Sequence, residues 1–373
     1  MSQNFPGATD VFVIGGGPAG LAAAIAARQR GFEVLVADGG QPPIDKACGE
    51  GLLPDGRAAL ERLGIQVPVA DSHLFRGVRF LSSGLSADAL FPEGGCGVAV
   101  RRTTLHRLMI ERAEQLGAGL LWRTAVTGIS PNGVHFGDRV VRARWIVGAD
   151  GSNSRVRRWV GLDAGSRSRL RYGFRRHFWI TPWSDHTEVY WADSCQGYAT
   201  SVSREQVCVA VASHDPNLRL EEGLLALPKL SARLNGAEAA SMERGALTGN
   251  SKLRRVWRGN VALIGDASGT VDAITGEGLG LAFSQAVALA ESLDSADLTR
   301  YQAEHRRLAL RPLLMARLML TLDGRPWLQQ RTLQTFRKNP EIFRRLLALH
   351  VGAMPPSHFV RDGLALGWGL LST

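Results

Sequence analysis

Three glycine-bearing motifs hold the residues of this 373-residue chain whose types and spacing could do chemistry. The first is Gly15-Gly-Gly17-Pro-Ala-Gly20, a GxGxxG run between the β-branched apolar stretch 10–14 and the alanine-rich stretch 19–30. In a strand–loop–helix setting Gly15 permits the tight turn and Gly17 lets the backbone approach a pyrophosphate. Gly20 allows the helix to pack closely on the strand, and the helix N-terminus offers N–H donors and a positive dipole to phosphates. Asp38 closes the next apolar run, 18 residues past Gly20, where a carboxylate can accept hydrogen bonds from a ribose diol. Strand, loop, helix and acid together describe a dinucleotide site.

The second motif ends the apolar stretch 140–147 in Gly148-Ala-Asp150-Gly151, with Ser154 and Arg155 behind it. The third ends the stretch 260–264 in Gly265-Asp266, followed about twelve residues later by Gly276-Glu-Gly278 at the start of a helical stretch, 278–293. An aspartate at the end of a parallel strand, over a crevice, suits hydrogen bonding to polyol hydroxyls. A helix N-terminus beyond it can hold a partial negative charge such as the N1–C2=O edge of a reduced flavin.

With these motifs in this order the chain resembles the FAD-dependent oxidoreductase superfamily, which contains aromatic-hydroxylase-type flavoprotein monooxygenases, flavin halogenases and geranylgeranyl reductases. The resemblance covers about residues 8–300. Arg102-Thr-Thr-Leu105 looks like the Arg-x-x-Leu that opens a helix beside the cofactor, and Lys46-Ala-Cys48-Gly49-Glu50-Gly51 looks like the cysteine–glycine loop of the reductase branch. The resemblance implies FAD, with Gly20 at the pyrophosphate and Asp38 at the adenosine ribose. It places Cys48, Gly49, Gly51 and Arg102 on the flavin side and a Val126 backbone contact at the adenine end. Asp266 would hold the ribityl chain, and Gly278 and Leu279 the isoalloxazine. Two departures weaken assignment to the hydroxylases while leaving FAD untouched: Ser268-Gly269 stands where they carry His, and Ala273 replaces the family's proline.

The elements that must position these residues read as an α/β fold. A Rossmann-like FAD-binding domain with a glutathione-reductase-like βαβ core (1–72, 99–165 and 255–300) is interrupted by an antiparallel-sheet substrate domain (73–98 and 166–254). A helical C-terminal region, 301–373, follows. Aromatics alternate through the sheet, which makes His177, Trp179, Tyr190 and Tyr198 candidate substrate contacts. No catalytic acid or base stands out, and Glu50 and Glu277 read as solvated loop and helix-start carboxylates.

Composition is that of a globular chain, 45 % apolar and 21 % charged, which excludes a disordered or collagenous protein. Cys48, Cys96, Cys195 and Cys208 form no CxxC pair, so neither a disulfide reductase nor a metal-ligand spacing is expected, and a reducing cytoplasm suits them. Residues 178–183, Phe-Trp-Ile-Thr-Pro-Trp, only mimic the Trp-x-Trp-x-Ile-Pro signature of halogenases. No apolar run is long enough to span a membrane. Of the net charge of +10, residues 301–373 carry +7, from 11 Lys+Arg against four acids. That tail reads as a helical cap on the FAD domain, or as a basic amphipathic surface making peripheral contact with anionic membrane; no nucleic-acid module accompanies it.

The leading expectation is NAD(P)H-dependent monooxygenation of a hydrophobic or aromatic small molecule, polyketide- or isoprenoid-like, as in secondary metabolism. NAD(P)H would dock transiently, because no second GxGxxG is present. The alternative is reduction of C=C bonds of the geranylgeranyl-reductase kind, and the non-enzymatic alternative a regulatory FAD-binding protein.

Overall fold

The computed structural model describes residues 7–82, 84–162 and 170–358, together with positions 363, 366 and 367. Its first layer is a parallel sheet. In spatial order the strands are Val261–Leu263, Arg139–Gly148, Ala8–Ile14, Val34–Ala37 and Gly119–Leu121. Val11, Phe12 and Val13 are fully buried, as a central strand covered on both faces requires. Four helices flank this sheet and its edge: α1 (Pro18–Arg28), α2 (Pro54–Arg62), α3 (Arg102–Gln115) and α4 (Gly278–Asp294). Helix α1 starts with proline at its first position, where a missing N–H costs nothing. A Cβ on Gly20 would lie 1.8 Å from the Gly15 carbonyl oxygen, so α1 is pressed directly onto the loop that precedes it.

The second layer is a sheet whose main path runs in the order Glu238–Ala239, Arg171–Trp179, Gln206–Ser213, Cys195–Ser201, His186–Trp191, Gly77–Ser82 and Leu85–Leu90. Its pairings are antiparallel except that His186–Trp191 runs parallel to Gly77–Ser82. Because side chains alternate across a strand, its two faces have separate cores. One buries Phe174, Phe178 and Tyr190 beneath the short helices Leu220–Leu225 and Pro228–Arg233. The other buries Phe80, Val189 and Trp191.

That second face is covered by the C-terminal helices α5 (Leu298–Leu322), α6 (Pro326–Lys338) and α7 (Pro340–His350). Helix α5 packs on α4, whereas α6 and α7 pack on Gly77–Ser82 and Leu85–Leu90. The expectation of a cap on the first layer therefore describes α5 alone; the rest of the cap roofs the second sheet. The boundary drawn at residue 301 falls inside α5. Leu333, Phe336, Phe343 and Leu346 share a core with Phe80 and Trp191, which is why the tail's apolar residues turn toward the sheet.

One guanidinium ties the parts together. Arg171, 1 % exposed at the start of its strand, donates from Nη1 to Asp272 Oδ1 (3.1 Å) in the loop before α4. Its Nε lies 3.3 Å from Oδ2 of Asp323, the residue that caps α5. Gln196 donates to the other Asp323 oxygen at 2.9 Å. Removing one member of a buried ion network leaves the partners' charges without compensation, at a cost of about 3–5 kcal/mol. Arg171→Met is accordingly expected to lose about that much stability in urea unfolding; a loss within the ±0.5 kcal/mol typical of surface changes would show that the tie contributes nothing.

Candidate active site

A cavity of about 1030 Å³ runs between the two layers and under the cap. Its first part is polar and follows the sequence motifs. Gly15, Gly17, Asp38, Cys48, Gly49, Gly51, Arg102, Val126, Asp266, Gly278 and Leu279 all line it. Gly20 does not; it is the close-packing glycine beneath Gly15, and of the three motif glycines Gly15 and Gly17 are the ones that line the cleft. The Asp38 carboxylate braces this loop, accepting from the Gly16 N–H at 2.6 Å and the Gly40 N–H at 2.7 Å.

The residues present fit a dinucleotide. Helix α1 has no side-chain cap, and a Cβ on its N-cap residue Gly17 would meet nothing within 4 Å, so the first N–H groups face open cleft. Asp150 Oδ1 and Arg102 Nε are buried with no hydrogen-bond partner among the described residues. Asp150 spends its other oxygen on the N–H groups of Arg155 and Val156 (2.6 and 3.1 Å), holding the start of helix Arg155–Trp159. Asp266 points into the cleft, and the protein around it raises its carboxyl above the ordinary range, against Lys46 and Arg102.

Two further residues organise this part, and His106 carries no motif. His106 on α3 is fully buried and donates from Nε2 to the Gly16 carbonyl at 2.8 Å, while its Nδ1 faces the Ile44 N–H at 3.4 Å. Burial lowers its pKa, so it acts as a neutral strut. Arg157 donates to the carbonyls of Ala267 (3.3 Å) and Ser152 (3.0 Å), joining the second motif to the third. A lone histidine in a helix has no spacing signal that would reveal such a role, whereas Arg157 closes the run that begins at Gly148.

The Cys48–Gly51 loop rests on a buried network. Glu50, with φ +61°, is 2 % exposed rather than solvated. Its carboxylate accepts from the Arg102 N–H (2.9 Å) and from His177 Nε2 (2.5 Å), and Arg175 lies 3.6 Å away. His177 Nδ1 faces Ser241 Oγ at 2.8 Å. His177 thus supports the loop from behind and does not line the cavity, against its reading as a substrate contact. Glu50, His177 and Cys208 bring their potential ligand atoms within 4.8 Å of one another. Arg175 already supplies the positive charge there, and burial pushes the Cys208 thiol well up, so the cluster reads as a hydrogen-bonded brace.

The cavity's second part is an apolar chamber. Phe75, Phe80, Val189, Trp191 and Tyr198 line it from the sheet side, and Met319, Phe336, Phe343 and Leu346 from the cap. Phe336 and Phe343 stack with centroids 4.5 Å apart; Phe80 lies 4.6 Å from Trp191 and 5.5 Å from Phe343. Tyr198 is the sequence candidate that reaches the chamber, its hydroxyl donating to Gln196 Oε1 at 2.8 Å and its pKa pushed up to about 12 by burial. Tyr190 is on the opposite face, donating to Glu188, and Trp179 is 49 % exposed outside the cavity. Alternation along the sheet was visible, but which face met the cap was not. The cap lining did have a signal: Phe343, Leu346, Leu347 and His350 fall at i, i+3, i+4 and i+7.

Behind the cleft, Glu277 caps α4 and is buried, not solvated. Burial outweighs Arg311 (3.4 Å away) and raises its pKa from 4.5 to about 8. His350, 12 % exposed, is lowered to about 4 by burial and by Arg311. Its Nε2 donates to the Thr275 carbonyl at 3.1 Å, which leaves Nδ1 as the acceptor facing Glu277 Oε2 at 3.3 Å. Burial thus disfavours the charged form of both groups, and the N-terminus of α4 turns its partial positive charge toward the cleft.

Residues 8–309 match the FAD binding domain family. The chain is 31 % identical over 335 residues to a menaquinone reductase of Mycobacterium tuberculosis, covering 78 % of each protein. It is 28 % identical over 294 residues to digeranylgeranylglycerophospholipid reductase 1 of Methanothermobacter thermautotrophicus, covering 72 % of this chain and 73 % of that one. Among solved structures a flavin-dependent brominase superposes with a TM-score of 0.78 at 19 % identity, over 92 % of this chain and 93 % of that one. At that identity the likeness concerns the fold alone.

Two outcomes follow from this geometry. Asp266→Ala is expected to purify folded but depleted of yellow flavin; full flavin content in the absorption spectrum would remove Asp266 from the site. For Glu277 the folded protein holds its proton up to about pH 8 while the unfolded chain releases it near 4.5, so stability contributed here falls as pH rises through that window. Glu277→Gln, which cannot ionise, is expected to gain melting temperature relative to wild type between pH 6 and 8.5. Parallel melting curves across that range would show that Glu277 titrates normally.

Proposed function

This chain belongs to the FAD binding domain family and is an FAD-dependent oxidoreductase, and we propose that it reduces a carbon–carbon double bond of a hydrophobic, isoprenoid-like substrate. The observation that carries this reading is the apolar chamber, continuous with the flavin cleft and walled by aromatic and aliphatic side chains from both sheet and cap. Relatives named for menaquinone and for digeranylgeranylglycerophospholipid support it, since both names denote molecules with long hydrocarbon chains.

Bound FAD would supply hydride transfer, with NAD(P)H docking transiently as the reductant. The protein's own residues do the rest. Burial of a hydrocarbon chain against Phe80, Trp191, Phe336 and Phe343 contributes about 25 cal/mol per Å² removed from water. The same walls keep water from the reacting atoms. The Glu50–His177–Arg175 brace fixes the Cys48–Gly51 loop, and the α4 N-terminus stabilises negative charge at the edge of the cleft. Tyr198 and His350 border the chamber in neutral form, and the Arg171 guanidinium beside Tyr198 is held by Asp272 and Asp323.

Anaerobic mixing of the chemically reduced holoprotein with menaquinone separates reduction from monooxygenation. The expected result is flavin reoxidation without oxygen and a product that keeps two added hydrogens after exposure to air. An enzyme inert under anaerobic conditions that adds one oxygen atom in air would overturn the reading in favour of monooxygenation.

A further inference from the structure

We propose that the outer face of α6 is a docking surface for an anionic lipid bilayer. Helix α6 has two unlike faces. Gln329, Thr332, Leu333 and Phe336 are buried, and Phe336 lines the apolar chamber. Trp327, Arg331, Gln334 and Lys338, spaced at i, i+4, i+7 and i+11, form an exposed stripe, with Arg337 beside it. The helix carries three cations and no acid, and Arg325 immediately before it is also exposed. Trp327 is 61 % exposed at the first turn, an amphipathic ring placed where it can enter a headgroup layer.

The charge complements an anionic leaflet, and the tryptophan distinguishes this surface from a purely electrostatic one. A polyanion such as nucleic acid would use the arginines but leave Trp327 on the rim without a base-reading module beside it. Position argues the same way. One helix thickness separates the basic stripe from the chamber wall, so a chain leaving the bilayer beside α6 has a short path to Phe336 and Phe343. This rests on the proposed lipid-like substrate. It adds that the substrate is met at a membrane surface.

The test is co-sedimentation of the FAD-loaded full chain with vesicles of phosphatidylcholine alone or with 30 mol % phosphatidylglycerol, at low and at 0.5 M salt. Binding is expected with the anionic vesicles at low salt and to fall at high salt. Each basic residue at the surface contributes about five-fold in partition, so Arg337→Gln/Lys338→Gln is expected to lower binding about 25-fold. Trp327→Ser is expected to lower it further. No sedimentation, equal binding to neutral vesicles, or binding to duplex DNA without binding to vesicles overturns the proposal. Flavin reoxidation by detergent-solubilised menaquinone is measured on the same variants. If it persists while vesicle binding is absent, the docking surface falls alone; if it is absent while vesicle binding persists, the substrate reading falls.

Discussion

The Arg171 guanidinium is the constraint on which the enclosure of this site depends. It belongs to the second sheet, yet its partners lie in the loop that leads into α4 and at the end of α5. Three pieces of chain that each form one wall of the cavity are thereby referred to one buried positive charge. Without that tie nothing in the local propensities of Arg171–Trp179 or α5 would fix how far the cap stands from the cleft. Hydrophobic burial supplies most of the attraction between cap and sheet. It is non-directional, however, and the ion network gives it a register.

The same division of labour recurs around the cleft. Close-packed glycines bring elements together: Gly20 under Gly15, and Gly56 against Gly280, where a Cβ on Gly280 would come within 2.8 Å of the Gly56 Cα. Buried polar struts then fix the loops those contacts leave free. His106 holds Gly16, Arg157 joins two strand-end motifs, and Glu50 is held by Arg102, Arg175 and His177. Glu277 and His350 carry the logic to the cap, because neutral groups can be buried side by side where charged ones would need compensation.

The parallel layer and its cleft were legible in the sequence because their signals are local. A glycine pattern between strand and helix, an acid at a strand end and a helix start each occupy a few contiguous residues, and eleven of the twelve residues proposed for the cofactor line the cavity. Gly20 sits behind the cleft because it packs directly under Gly15, the role its place in the motif already gave it. The substrate side was poorly legible because strand alternation fixes two faces without saying which is covered. Tyr190 and Trp191 are neighbours that point to opposite cores, and only the position of α6 and α7 decides which of them meets the chamber. Glu50 and Glu277 were misjudged as solvated for the same reason: their burial is made by residues more than fifty and thirty positions away in the chain.

The most direct measurement is a crystal structure of the FAD-loaded protein with a bound geranylgeranyl chain. Flavin is expected along the cleft from Asp38 to Gly278, with the hydrocarbon chain running from it between Phe80, Trp191, Phe336 and Phe343. A chain bound elsewhere, with those four side chains closed on one another and the cleft sealed from the chamber, would contradict this expectation.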